Sequence, residues 1–307
     1  MQKMMGGLLA ALLLLGAGCS QSGGKAPAFA GDAGKVKVAT SFYPMYEFAR
    51  AVGGDRVDLI NLVPAGTEPH DWEPTPGHIK ALNGANLFIY NGAGFEHWVD
   101  KTVASLDNKS LVTVETAKGA DLIKAEAGSD EEWDPHVWLD PLFASRQVEA
   151  IRDALVKADP AGKATYEGNA GVYLGKLKEL HQEFQSGLSQ CKQTQFFTSH
   201  SAFAYLAHRY NIEQHPIMGL SPDAEPKPKE LAGIVSEAKE HKVKYIFFET
   251  LVSDKVAKLV AQEIGASTLV LNPIEGLTDA EVKAGKDYLA VMRENLANLK
   301  TALECGK

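Results

Sequence analysis

Alternating and helical runs of apolar residues divide most of this chain into strand–helix units. VKVATS, from Val36, alternates as a strand; after it YPMYEFARAV carries apolar residues at helical spacing up to Gly53-Gly54. VDLINLVP reads as a second strand, HIKALNGA as a helix, NLFIYNGAG as a third strand ending in glycines, and LVTVET as a fourth. From Leu142 the pattern is helical, with a break at Asp159-Pro160. Residues 161–190 lack proline and place Tyr173, Leu174, Leu177, Leu180, Phe184 and Leu188 on a helical repeat, so they predict one long helix. Strand–helix alternation then resumes. QFFTSH, a helix through AFAYLAHRY, a proline-rich loop SPDAEPKPK, a helix, YIFFET, a helix to Ile264, STLVLNP and a final helix from Asp279 follow in order. This rhythm predicts an α/β fold of two lobes, each a mostly parallel sheet flanked by helices, joined by one long helix.

The N-terminus departs from that rhythm. MQKMMGGLLAALLLLGAGCS has one early lysine, an apolar run from Leu8 to Leu15 and small residues before Cys19, which predicts an export signal over residues 1–18. The apolar run is too short to span a bilayer. A cysteine directly after small residues predicts lipidation of Cys19 and a membrane-anchored, extracytoplasmic protein at the cell surface or in the periplasm. Plain secretion is the alternative. Residues 19–34 are small, polar and rich in glycine, and predict a flexible tether. The remaining boundaries are a first lobe over 35–157, a linking helix over 158–190 and a second lobe over 191–307.

Composition narrows the chemistry. The 307-residue chain has a formal net charge of −8, or −9 once the leader with its Lys3 is removed. That acidity disfavours a nucleic-acid partner and suits attraction of cations. With Cys19 set aside, Cys191 and Cys305 remain as an even pair in an oxidising compartment, able to form a disulfide or to stay as two buried thiols.

Three of the nine histidines share a local grammar. His70 lies in EPHDWEP between prolines and carboxylates, His136 in DPHVWLDP, and His200 at the end of QFFTSH. Ligands of open α/β sheets bind beyond the carboxyl ends of strands, and neutral imidazole is the commonest protein metal ligand. The sequence predicts that these three converge on one metal ion. His78, His97, His181, His208, His215 and His241 lack that setting and are read as solvated or hydrogen-bonded. The acidic run Asp130, Glu131, Glu132, Asp134 is read as a solvated loop rather than a cation trap.

PHDWEPTP, DPHVWLDP, TSHSAFAYLAHRY and LNPIEGLT together resemble the zinc- and manganese-binding lipoproteins of bacterial ABC importers, over nearly all of the chain from Val36. The resemblance implies two α/β lobes on a rigid helix with a metal in the cleft between them. It also implies a monomer that hands its ion to an ABC permease. Carried over by motif, His70 and His136 come from the first lobe and His200 from the second. Glu275 is the expected fourth ligand, with Asn272 and Glu249 as alternatives. Manganese carriers of this kind tend to replace the third histidine with a carboxylate, so His200 points to Zn2+. Glu68, Asp71, Asp140 and Glu249 are candidates to orient the rings. The chain has no HExxH, no GxSxG and no glycine-rich phosphate loop. A zinc hydrolase with water as fourth ligand, a manganese carrier and a surface adhesin are the competing readings.

Overall fold

The computed structural model describes residues 26–125, 129, 131–222 and 226–306. The export signal, Cys19, the start of the tether and Asp130 lie outside them. Two four-stranded, all-parallel sheets form the lobes. The first contains β1 (Val36–Thr40), β2 (Val57–Asn61), β3 (Leu87–Tyr90) and β4 (Val112–Glu115), in the order β2-β1-β3-β4. The second contains β5 (Gln195–Thr198), β6 (Glu213–Pro216), β7 (Tyr245–Phe248) and β8 (Ser267–Val270), in the matching order β6-β5-β7-β8. In each sheet the chain leaves the first strand in one direction and returns on its other side. That reversal opens a crevice at the carboxyl ends of the two central strands.

The helices are α1 (Tyr43–Gly53), α2 (Pro76–Asn83), α3 (Val99–Ser105), α4 (Pro141–Ala158) and α5 (Lys163–Gly187), followed by α6 (Ala204–Tyr210), α7 (Pro228–Glu240), α8 (Lys255–Ile264), α9 (Asp279–Lys283) and α10 (Tyr288–Ala302). Helix α5 is the long linking helix. It buries Tyr166, Ala170, Tyr173, Leu177, Leu180 and Phe184, alternately four and three residues apart, which is one stripe of a helix of 3.6 residues per turn. Those side chains belong to a hydrophobic cluster that begins at Val36 in the first sheet and ends at Cys305. The lobes therefore share a core, and opening them would expose fully buried groups worth about 1.5–3 kcal/mol each. A Cys191–Cys305 disulfide ties the segment after α5 to the C-terminus.

Direct bonds between the lobes add orientation to this packing. Trp138 Nε1 donates to Pro273 O (2.8 Å), Tyr288 Oη donates to Trp138 O (2.6 Å) and Gly66 N donates to Leu277 O (2.8 Å). Arg209 pairs with Asp140 at 2.7 Å, and Asp140 caps α4 through the Leu142 amide. Residues 26–34 lie along the first lobe, where the amides of Ala30 and Gly31 donate to the Asp58 carboxylate.

The structure differs from the sequence pattern at four places. Helix α3 and strand β6 were not anticipated; β6 reads EQHP, a polar edge strand closed by a proline that has no donor to give. The expected final helix is two helices, because Gly285 takes a positive φ of 69° and the Asp287 side chain caps a fresh start through Ala290 N. The helix read through AFAYLAHRY begins only at Ala204, and Ser201 N, ahead of it, donates to Gly219 O.

Candidate metal centre

The loops at the carboxyl ends of the strands deliver four side chains to one buried point: His70, His136, His200 and Glu275. His70 follows β2 in a turn where its own amide donates to the Glu68 carboxylate (3.0 Å). His136 sits in the long connection from β4 to α4, at the start of a single 3-10 turn. His200 comes two residues after β5, with its carbonyl held by Thr198 Oγ1 (2.8 Å) and Gln214 Nε2 (2.9 Å).

Glu275 is aimed by a strained turn. Ile274 has φ 60°, a left-handed conformation that costs a β-branched residue about 1–3 kcal/mol. Its amide donates to Asn272 Oδ1 at 2.7 Å, and its side chain is fully buried. Asn272 is fixed in turn by Asn295 of α10, which accepts from its amide (2.8 Å) and donates to its carbonyl (2.7 Å). The turn is over-determined, as a strained conformation must be to persist. Asn272 thus faces the backbone, and Glu275 faces the histidines.

A single carboxylate oxygen, Glu275 Oε1, lies 3.3 Å from the Nε2 atoms of His70, His136 and His200 alike. The Nε2 atoms of His136 and His200 are 3.4 Å apart. All four donor atoms fall within 4.8 Å of one another. A tetrahedron whose centre-to-corner bonds are roughly 2.0–2.1 Å has edges of roughly 3.3–3.4 Å, so these spacings fit tetrahedral zinc with nitrogen and oxygen ligands.

Carboxylates behind the rings set their tautomers. His136 Nδ1 donates to Asp134 (2.8 Å) and His200 Nδ1 to Glu249 (2.6 Å), leaving each Nε2 lone pair for a metal. Glu249 was among the anticipated orienting residues. Asp134 was not, because it closes an acidic run that looks solvated; two residues before His136 it is in fact only 2 % exposed. Its place just ahead of a Pro-His pair was the available signal. Of the other candidates, Glu68 holds the His70 backbone and Asp140 caps a helix. Phe95 packs edge-on to His70 with centroids 4.8 Å apart, and Trp138 lies 5.2 Å from His136, giving the cluster an aromatic wall.

Burial opposes charging every group here, and the neighbours decide which yields. His70, with Glu275 to offset burial, falls below the ordinary imidazole range. His136 is lifted above it by Asp134 and Glu275, and His200 well above it by Glu249 and Glu275, despite burial. Burial would raise Glu275, but the surrounding imidazoles hold its carboxyl well below the usual range. Without metal, His136 and His200 hold a proton more readily than ordinary imidazoles. A divalent cation arriving at the Nε2 atoms competes with those protons.

The remaining histidines stay outside this cluster. His78 accepts from the Thr75 amide at the start of α2, His181 lies 3.1 Å from the Tyr210 hydroxyl, and His97 is 3.4 Å from Glu73.

Residues 38–302 match the family model described as the periplasmic component A of the zinc-uptake complex. The chain is 42 % identical over 311 residues to the high-affinity zinc uptake system protein ZnuA of Bacillus subtilis, covering 96 % of both chains. It is 41 % identical over 278 residues to the zinc-binding lipoprotein AdcA of Streptococcus pneumoniae, and spans 56 % of that longer protein. Among solved structures, the Zn(II)-bound ZnuA-like domain of S. pneumoniae AdcA superposes with a TM-score of 0.78 at 41 % identity. That match covers 88 % of this chain and all of the domain.

Proposed function

The chain belongs to the family of periplasmic zinc-uptake component A proteins, and from that premise we propose that His70, His136, His200 and Glu275 carry Zn2+ as cargo for an ABC importer. Zinc uptake outside the cytoplasm is the family's role, and the ion is a transported substrate rather than a resident cofactor. The observation that carries the residue assignment is the set of 3.3–3.4 Å spacings among Glu275 Oε1 and the imidazole nitrogens.

Four protein donors close the coordination sphere, whereas hydrolytic zinc keeps one position for water. Glu275 therefore favours carriage over hydrolysis. The three nitrogens favour zinc over manganese, which prefers oxygen. Capture begins at His70: it is 7 % exposed, while the other three donors are 2 % exposed or less. Its ring lacks the Nδ1 carboxylate that His136 and His200 have among the described residues, so it is the donor freest to meet an arriving ion. Delivery goes to a membrane permease, from a monomer anchored through lipid on Cys19 after loss of residues 1–18. The tether over 19–34, the lobes over 35–157 and 191–307 and the linking helix over 158–190 complete this organisation.

Chelator-stripped protein reloaded with one equivalent of Co2+ tests the site. Intense visible absorption of a tetrahedral ion is expected, displaced by Zn2+, and lost in His70→Ala, His136→Ala, His200→Ala and Glu275→Ala. If Glu275→Ala keeps the spectrum while Glu249→Ala abolishes it, the fourth ligand is misassigned.

A further inference from the structure

Tyr205 lies five residues after His200, on α6 of the second lobe, and its hydroxyl reaches into the first lobe. Its Oη donates to Asp134 O at 2.7 Å and accepts from Ile123 N at 2.9 Å. The same two residues are joined by Asp134 N donating to Ile123 O, also at 2.9 Å. Both the amide and the carbonyl of Asp134 are therefore engaged, the carbonyl by a side chain from the other lobe. Burial pushes the phenol up from its ordinary value, so the hydroxyl keeps its proton and donates.

What that hydroxyl holds is the approach to His136. Asp134 Oδ1 accepts from the His136 amide (2.9 Å) and from its Nδ1 (2.8 Å), so the place of Asp134 sets both the main chain and the ring of His136. The next carbonyl, Pro135 O, accepts from Asn91 Nδ2 of the first lobe at 2.9 Å. Two successive carbonyls ahead of His136 thus answer to opposite lobes. Packing fixes the phenol itself: Tyr205 is 3 % exposed, and its ring meets Phe143 edge-on with centroids 5.4 Å apart. One short stretch of the second lobe therefore carries His200 and also the bond that steadies His136 from the first.

We propose that Tyr205 is a positioning residue for zinc retention: its hydroxyl ties His136 to the lobe that carries His200 and slows release of the ion. The role rests on the reading of His136 as a metal ligand. A shift of one lobe against the other stretches the Tyr205 bonds and displaces the His136 segment together, so breaking this contact and loosening His136 belong to one step. The hydroxyl itself touches no metal, and its removal leaves all four donors in place. Arrival of the ion at His70 comes before His136 is engaged. The consequence is therefore kinetic: dissociation accelerates, while association and the number of ions bound stay as they are.

Tyr205→Phe deletes one oxygen and keeps the ring. Zinc-loaded protein mixed rapidly with a fluorescent chelator, at concentrations where the rate no longer depends on chelator, reads the release rate. A rise of about 3–10-fold is expected for the loss of such a hydrogen bond, with the association rate and the bound stoichiometry unchanged. Phe143→Leu disturbs the packing of the ring but spares the hydroxyl, and should release zinc near the wild-type rate. Combined with Glu249→Gln, which acts on His200, the Tyr205→Phe factor should multiply; combined with Asp134→Ala, which already frees the His136 ring, it should shrink. An unchanged release rate in Tyr205→Phe, an equal rise in Phe143→Leu, or a factor that multiplies fully with Asp134→Ala overturns the role. His136→Ala separates the two readings. If it loses the tightly held ion while Tyr205→Phe releases at the wild-type rate, the positioning role alone falls; if it keeps that ion, the metal assignment falls and the role with it.

Discussion

Exchange of protons for zinc makes affinity depend on pH in a way that distinguishes this cluster from three ordinary histidines. Imidazoles with a pKa of about 6.5 would cost roughly a thousandfold in affinity between pH 7.5 and 5.5, and less than about twofold between pH 8.5 and 7.5. In this structure His200 is held well above that range by Glu249 and Glu275, and His136 is also raised. A proton that must leave His200 costs about tenfold, or ~1.4 kcal/mol, for each pH unit below its pKa. Affinity should therefore still climb as the pH rises above 7.5, where ordinary histidines would leave it nearly flat. His70, lowered by burial, adds its own proton competition only in more acidic solution. Glu249→Gln keeps the shape behind His200 Nδ1 but removes the charge, so it should flatten the alkaline slope. It should also weaken zinc binding by about 10–100-fold at pH 8.5 through loss of ring orientation. Competition against a fluorescent chelator calibrated at each pH, in non-coordinating buffer, measures both effects. A wild-type affinity that is level above pH 7.5, or a Glu249→Gln protein with an unchanged slope, refutes the proton-exchange account.

The same charges govern the metal-free fold. A raised His200 contributes stability that is complete below its unfolded pKa of about 6.5 and is lost as pH rises through its folded value. The thermal midpoint of stripped protein should fall in that alkaline direction, and the zinc-loaded midpoint should not follow it. Asn272→Ala leaves the Ile274 amide buried without an acceptor and should cost about 1–3 kcal/mol in urea unfolding. It should also lower zinc affinity by loosening Glu275; unchanged affinity would show that the turn does not aim the carboxylate. Phe184→Ala empties a fully buried site on the linking helix and should cost about 3–5 kcal/mol, read from the urea midpoint. Cys305→Ser opens a bridge spanning 114 residues, for which chain entropy predicts a loss of about 4.8 kcal/mol; reductant should shift the wild-type midpoint in the same direction and leave the variant unmoved.

Much of the fold was legible from periodicity because long amphipathic elements write their burial into their spacing. The stripe from Tyr166 to Phe184 announces the linking helix, and VKVAT, NLFIY and YIFFET announce buried parallel strands. Short or polar elements carried too little pattern: EQHP has a proline and a histidine where a strand would show β-branched residues, and the α9–α10 break depends on one glycine. At the site, His70 and His136 stood out by their proline-flanked loops and His200 by its place at the end of a strand. Local pattern did not order Glu275, Asn272 and Glu249, since all three are polar residues near strand ends; only the motif resemblance put Glu275 first. The tertiary structure separates them. Asn295 on α10 turns Asn272 toward the backbone, the left-handed Ile274 swings Glu275 to the imidazole nitrogens, and β7 places Glu249 behind His200. Donor types are set by local chemistry and are visible in a single chain. Which donor meets which depends on contacts between residues far apart in that chain, such as His70 and Glu275 separated by 205 positions, and only the packed lobes decide it.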